Sequence, residues 1–124
     1  MDPMIDTRSW QDSIYRQREE LGHLLHEPMR GLAHCCTPAW GDRESLNQVL
    51  LARYAGIPHC THLFVLDADG VQISDNVSNG GLVSGYYGRD RSYRPYMQEQ
   101  MPPWGFLLSD AYVSIHNRRP SLAA

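Results

Sequence analysis

The chain has 124 residues, of which 42% are apolar and 20% charged, and its net charge is −3 at pH 7. A chain of this length buries roughly two-thirds of its unfolded surface, enough for one core but not two, and its apolar share excludes wholesale disorder. All 11 basic residues are Arg, which excludes a Schiff-base lysine, a P-loop lysine and a lysine general base.

Six Arg stand against eight acids in residues 1–60, and five against six in residues 61–124. Neither half carries a basic field that would grip nucleic acid or an anionic membrane. No run approaches 18 apolar residues, so no membrane span is expected. The segment Met1-Asp2-Pro3-Met4-Ile5-Asp6 lacks the basic and apolar regions of a signal peptide. Three Cys, two of them adjacent, argue against a disulfide framework. We therefore expect a reduced, cytoplasmic chain, or an extracytoplasmic one if the sequence is a fragment of a membrane receptor.

Residues 9–36 predict a helix. Ser9 is its candidate N-cap, with Asp12 three residues on. Trp10, Ile14, Leu21, Leu24, Leu25 and Leu32 recur near helical spacing. Gly22 weakens this helix, and Pro28 is expected to kink or split it. Thr37-Pro38-Ala39-Trp40-Gly41 reads as a break. A second helix follows, capped by Asp42, with Leu46, Val49, Leu50 and Tyr54 on one face and Gly56 and Pro58 as its stop.

The period then changes from helix to strand. His62 to Leu66 is apolar, Asp67-Ala68-Asp69-Gly70 is a turn, and Val71, Ile73, Asp75 and Val77 alternate, which predicts a β-hairpin. Ser78-Asn79-Gly80-Gly81 reads as loop. Ser92 to Gln100 suits a short helix, Phe106 to Ile115 a strand, and His116 to Pro120 a turn. Another strand begins at Ser121. Helices at one end and strands joined by tight turns give an α+β class, with residues 1–58 helical and 59–124 an antiparallel sheet of one domain.

The densest chemistry lies in Tyr86-Tyr87-Gly88-Arg89-Asp90-Arg91-Ser92-Tyr93-Arg94-Pro95-Tyr96, with Trp104 beyond it. Arg presents a planar fork that holds a carboxylate in two parallel hydrogen bonds, and Tyr supplies a rigid wall with a hydroxyl. The mixture suits a small polar ligand. It equally suits Arg paired with Asp90 and Asp110 and Tyr packed on a sheet.

A second cluster comprises His34, Cys35, Cys36, His59, Cys60 and His62. These are zinc-ligand residue types, but the Cys-x-x-Cys spacing is missing, and the alternative is buried cysteines beside loop histidines. Asp67-x-Asp69-Gly70 begins like a calcium loop, but position twelve is Ser78 rather than Glu, which favours a turn. Neither a Gly-x-Ser-x-Gly elbow nor a His-Glu-x-x-His motif occurs, so enzyme activity is not expected.

Taken in order, Leu63-Phe64-Val65-Leu66-Asp67-Ala68-Asp69-Gly70, then Gly88 to Tyr96, then Ser109-Asp110-Ala111-Tyr112-Val113-Ser114, then Arg119-Pro120 resemble a Cache (PDC sensor) domain. Such domains are PAS-like sensing modules of bacterial signal transducers. The resemblance covers about residues 60–124. It implies a PAS-like antiparallel sheet after N-terminal helices, with the last strand missing at Ala124 and an unpaired edge left behind.

Members that bind amino acids carry an aromatic, four residues, Arg, one residue, Trp, Tyr, and later Tyr-x-Asp. Laid on this chain, that pattern puts the Arg at Arg94, the Trp at Tyr96 and the later Tyr at Tyr112. Arg89, Met97 and Ser114 depart from it, and the lost Asp would have paired with a ligand ammonium. The resemblance thus implies a small organic acid or another polar metabolite rather than an amino acid. The lining it implies is Arg94, Tyr96 and Tyr112, with Asp110, Arg91, Tyr93, Tyr86 and Trp104 beside them. It further implies signalling through an output domain or partner protein, and a homodimer contact along the N-terminal helix. No cofactor is expected. A small metal-binding protein is the alternative.

Overall fold

The computed structural model describes residues 7–99 together with Tyr112, Val113, Pro120 and Ser121, and side chains from Arg16 to Glu99. Helix α1 spans Thr7–Cys36 and helix α2 spans Arg43–Arg53, with short 3-10 turns at Thr37–Ala39 and Tyr54–Gly56. Strands β1, Asn76–Ser78, and β2, Gly81–Val83, pair antiparallel, and a 3-10 turn covers Pro95–Gln98. Strands β3, Tyr112–Val113, and β4, Pro120–Ser121, form a second antiparallel pair. The class is α+β, with helices first and short antiparallel strands after them.

Ser9 is not the N-cap expected of it, because α1 is already helical at Thr7. Pro28 does not split the helix either. The donor it removes would have served the carbonyl of Leu24, a residue open to solvent, where water can replace it. Leu25, Leu32 and Cys36 are buried on the other side and hold both halves of the helix to one core.

The break and second helix follow the sequence expectation. Asp42 caps α2, its carboxylate accepting from the amide of Glu44 at 3.1 Å and from the Ser45 hydroxyl at 2.8 Å. These bonds favour the charged form and hold the Asp42 carboxyl below its ordinary range. Leu46 and Leu50 are wholly buried, and Val49 and Tyr54 pack beside them. The core joins this face to the α1 stripe and to Ile57, Leu63 and Val77.

The expected hairpin forms, but its second arm carries two extra residues. Leu66 lies opposite Gln72, whereas Leu63 lies opposite Val77. The mismatch is absorbed at Ser74 and Asp75, where the Ser74 hydroxyl accepts from the amide of Val65 at 2.9 Å in place of a strand carbonyl. The simple alternation therefore fails. Val71 and Ile73 are only half-buried, while Gln72 and Ser74 are 0% exposed.

Ser78 to Gly81 is also more than loop. It is the turn of a second hairpin, with Val77 opposite Leu82 and Gly81 at φ 103°. Val77 thus pairs with Leu63 on one side and Leu82 on the other, at the centre of the sheet. The chain returns alongside residues 70–72. Gln72 donates its amide to the carbonyl of Arg89 and accepts from the amide of Gly88, both at 2.8 Å.

The expected helix over Ser92 to Gln100 is reduced to the turn at Pro95–Gln98. Most of the Phe106–Ile115 strand lies outside the described residues. Its Tyr112–Val113 part is extended and pairs with Pro120–Ser121, as the predicted turn between them requires.

Truncating Leu46 to Ala is expected to cost about 2–5 kcal/mol, through lost transfer energy and the cavity left in a wholly buried site. Gln48→Ala, on the exposed face of the same helix, is expected to stay within about 0.5 kcal/mol. Denaturant unfolding of both variants checks the direction of the core face.

Candidate functional site

The arginine-tyrosine segment is brought to the sheet by Gly70. The amide of Arg91 donates to the Gly70 carbonyl at 2.8 Å, and Gly70 adopts φ 83°. A Cβ at Gly70 would lie 2.9 Å from the Cα of Ser92. Only glycine meets both the left-handed backbone and this approach. The turn before it is held by Asp67, whose Oδ1 accepts from the amides of Asp69 and Val71 at 2.9 and 3.0 Å. Asp67-x-Asp69-Gly70 is therefore a turn in which the first Asp serves the backbone.

Two guanidinium groups are buried where this segment meets the sheet. Arg91 is 4% exposed and Arg94 is 6% exposed. Arg91 Nε donates to Gln72 Oε1 at 2.6 Å. The guanidinium of Arg91 lies over the Phe64 ring, 4.4 Å from its centroid, and 5.7 Å from that of Tyr86. Arg89 lies over the same Tyr86 ring at 4.7 Å, and Arg94 over Tyr93 at 5.4 Å.

Among the described residues no acceptor meets Arg91 Nη2, although that atom is buried. No ion pair to Arg91 is formed among them either. The adjacent acid Asp90 does not serve it: Asp90 is exposed and accepts from the amide of Ser92 at 2.9 Å. That bond keeps the Asp90 carboxyl below its ordinary range. The guanidinium of Arg91 is pushed below its usual pKa. Burial is the main cause, Tyr96 opposes it, and the charges of Arg94 and Arg89 add to it. An arginine still remains charged at neutral pH.

Of the residues expected to line a pocket, Arg91, Arg94, Tyr86 and Tyr96 are gathered here, all buried or half-buried. Tyr93 is 63% exposed, with one face under Arg94 and the rest in solvent. Tyr112 lies on β3, but its side chain lies outside the described residues, as do Trp104 and Asp110.

Two neighbours, Phe64 and Gln72, were not among the expected lining. Phe64 sits in an apolar run that reads as strand core. Gln72 falls at a position that simple alternation points outward. The polar run Gln72-Ile73-Ser74-Asp75-Asn76 was the available signal, because burying it demands a partner for every amide and hydroxyl.

Those partners form a continuous chain. Gln72 Nε2 donates to the Ser74 carbonyl at 2.8 Å and to Asn76 Oδ1 at 2.7 Å. Asp75 accepts from Asn47 Nδ2 at 2.8 Å and from Arg43 Nη2 at 2.6 Å, and its amide donates to Asn47 Oδ1 at 2.9 Å. Arg43 also covers the Tyr87 ring at 4.3 Å.

The His/Cys cluster is dispersed. Cys36 is buried in the core, and His34 is exposed. Cys35 accepts from Arg53 Nη2 at 2.9 Å. His59, Cys60 and His62 line a shallow, open depression of about 590 Å³ with Tyr54, Ser78 and Asn79. Among the described residues, no group of three or more His, Cys, Asp or Glu side chains converges as a metal site would require. Burial raises the Cys36 and Cys60 thiols above their ordinary pKa, which disfavours thiolate ligands. Among the described residues, no helix is long and apolar enough to cross a membrane.

Comparison with family models, with curated proteins and with solved structures gave no match.

Two measurements probe this geometry. Gly70→Ala is expected to cost roughly 2 kcal/mol or more, since strain and collision act together, and the loss should appear as a lower thermal midpoint. After dialysis against zinc and then metal-free buffer, the chain is expected to retain under about a tenth of an equivalent. Stoichiometric zinc would show that the dispersed His/Cys residues do assemble.

Proposed function

We propose that the chain is a non-enzymatic ligand-sensing domain for a small carboxylate-bearing metabolite, of the Cache (PDC sensor) type with its PAS-like sheet. The observation that carries this reading is the Arg91 guanidinium. It is buried, charged, and lacks an acceptor at Nη2 among the described residues. Burying a charge without a counter-charge is costly, and a bound anion removes that cost. Arg94, equally buried beside it, is the position that the family resemblance makes the carboxylate anchor. Tyr86 and Phe64 give the cation flat aromatic neighbours, and Tyr96 adds a hydroxyl.

Signalling follows if anion-bound and anion-free forms seat the site segment differently. A ligand shifts such an equilibrium only by its differential affinity for the two forms. The recipient is an output domain or partner protein, in a bacterial signalling pathway. Leu25 is buried in the core and Leu21 packs partly against it, so a homodimer contact along α1 would use the remainder of the helix.

A thermal-shift panel of acetate, trifluoroacetate, malonate and citrate, matched in ionic strength with chloride, tests the reading. At 100 times its dissociation constant a ligand adds about 2.7 kcal/mol, a readily measured rise in melting temperature. Arg91→Ala and Arg94→Ala are each expected to weaken the response at least about tenfold, the loss of one charge-assisted contact. No response beyond chloride from any member would refute a carboxylate sensor. Undiminished affinity in Arg94→Ala would remove that residue from the site.

A further inference from the structure

We propose that Gln72 is the positioning residue of the anion site. It fixes Arg91 with a neutral amide, so that the guanidinium keeps its whole charge and offers only its terminal Nη edge to a ligand. The proposal rests on the carboxylate-binding reading above and specifies its geometry.

Gln72 is 0% exposed and has little freedom to turn. Its Nε2 donates to both the Ser74 carbonyl and Asn76 Oδ1, which fixes the amide so that Oε1 is the end presented to Arg91. Its backbone is pinned on the same strand by Gly88 and Arg89. The 2.6 Å bond from Arg91 Nε therefore starts from a rigid acceptor.

That bond decides which edge of the guanidinium is left. An Arg can hold a carboxylate side-on through Nε and one Nη, or end-on through both Nη atoms. Gln72 occupies Nε and so removes the side-on mode. Phe64 lies over one part of the cation and Tyr86 flanks it, which disfavours approach from above the plane. What remains is in-plane contact at the Nη edge, where Nη2 is buried without an acceptor among the described residues and the Tyr96 hydroxyl is a neighbour that a ligand would have to share or displace. A flat carboxylate matches that edge with two parallel bonds.

The neutrality of the partner matters as much as its position. A carboxylate in place of the Gln72 amide would accept the same Nε bond. It would also cancel the charge that an incoming anion needs. Arg94 and Arg89 stand near enough to influence Arg91, with Tyr96 beside it, so the native surroundings of the cation are set by these groups and the amide.

The test uses the full chain and trifluoroacetate, whose carboxylate stays ionised down to pH 4. In the wild type, nitrogen-15 NMR is expected to show the Arg91 Nε proton exchanging at least tenfold slower than those of the exposed Arg16 and Arg30. Trifluoroacetate should shift the Arg91 Nη signals more than Nε. In Gln72→Glu, binding at pH 7.5 should fall at least tenfold relative to wild type, and the ratio should recover as the new carboxyl protonates. Gln72→Met should weaken binding with no such recovery.

Equal affinity in wild type and Gln72→Glu would overturn the proposal while leaving the sensor reading intact. So would an Arg91 Nε proton exchanging as fast as the exposed ones, a result that stands even if neither variant folds. A wild type that answers no member of the carboxylate panel would overturn the sensor reading, and this proposal with it.

Discussion

Asp75 is 7% exposed, and its carboxylate is bonded at both oxygens to α2, by Asn47 and by Arg43. The bond from the Asp75 amide back to Asn47 Oδ1 makes the contact reciprocal. Helix and sheet are thus joined by a polar clasp, buried at Asn47 and Asp75 and open to solvent at Arg43, beside the apolar core of Leu46, Leu50 and Val77. A buried carboxylate is tolerated only when its oxygens are satisfied. The clasp therefore admits one register between α2 and the strand, whereas apolar contacts alone would accept neighbouring ones.

This constraint explains the irregular arm of the first hairpin. For Asp75 to meet Asn47 while Val77 pairs with Leu63, two extra residues must be taken up between Gln72 and Val77. Ser74 makes that possible by giving the Val65 amide a side-chain acceptor. Its hydroxyl also donates to the Asp75 carbonyl at 2.9 Å. Gln72 lies just before this distortion, buried under Arg91. The clasp and the buried Arg91–Gln72 contact therefore flank one bulged strand, and Tyr86 and Tyr87 repeat the link by stacking with Arg91 and Arg43 respectively.

Much of the helical half was legible because helix period and capping are local. Asp42, Leu46 and Leu50 behave as their spacing demands. The turn at Asp67–Gly70 was legible for the same reason, since the Asp bonds its own neighbours. The second hairpin and the bulge were not. Both depend on which residues lie opposite one another, and alternation in one strand carries no information about its partner. Arg91 and Arg94 were visible as candidates from composition. Their burial was not, because an arginine is ordinarily exposed unless the fold supplies a reason to cover it. Gln72 was missed because polarity at an alternating position usually marks the solvent face.

At Arg91 the choice of Arg over Lys has a structural consequence. A lysine ammonium is strongly hydrated and gives up its charge when buried; a guanidinium stays charged and can lie flat against rings. Only the latter suits the place of Arg91, with Phe64 on its face, Gln72 at Nε and no acceptor at Nη2 among the described residues. Neighbouring Arg94 and Arg89 raise the cost of that charge rather than relieve it. A fold seeking stability alone would answer with a carboxylate or an apolar side chain. The amide of Gln72 does neither: it satisfies one donor and leaves the charge in place. This local cost in stability is the physical ground on which the proposed anion site rests, and the Asp75 clasp holds the strand beneath it.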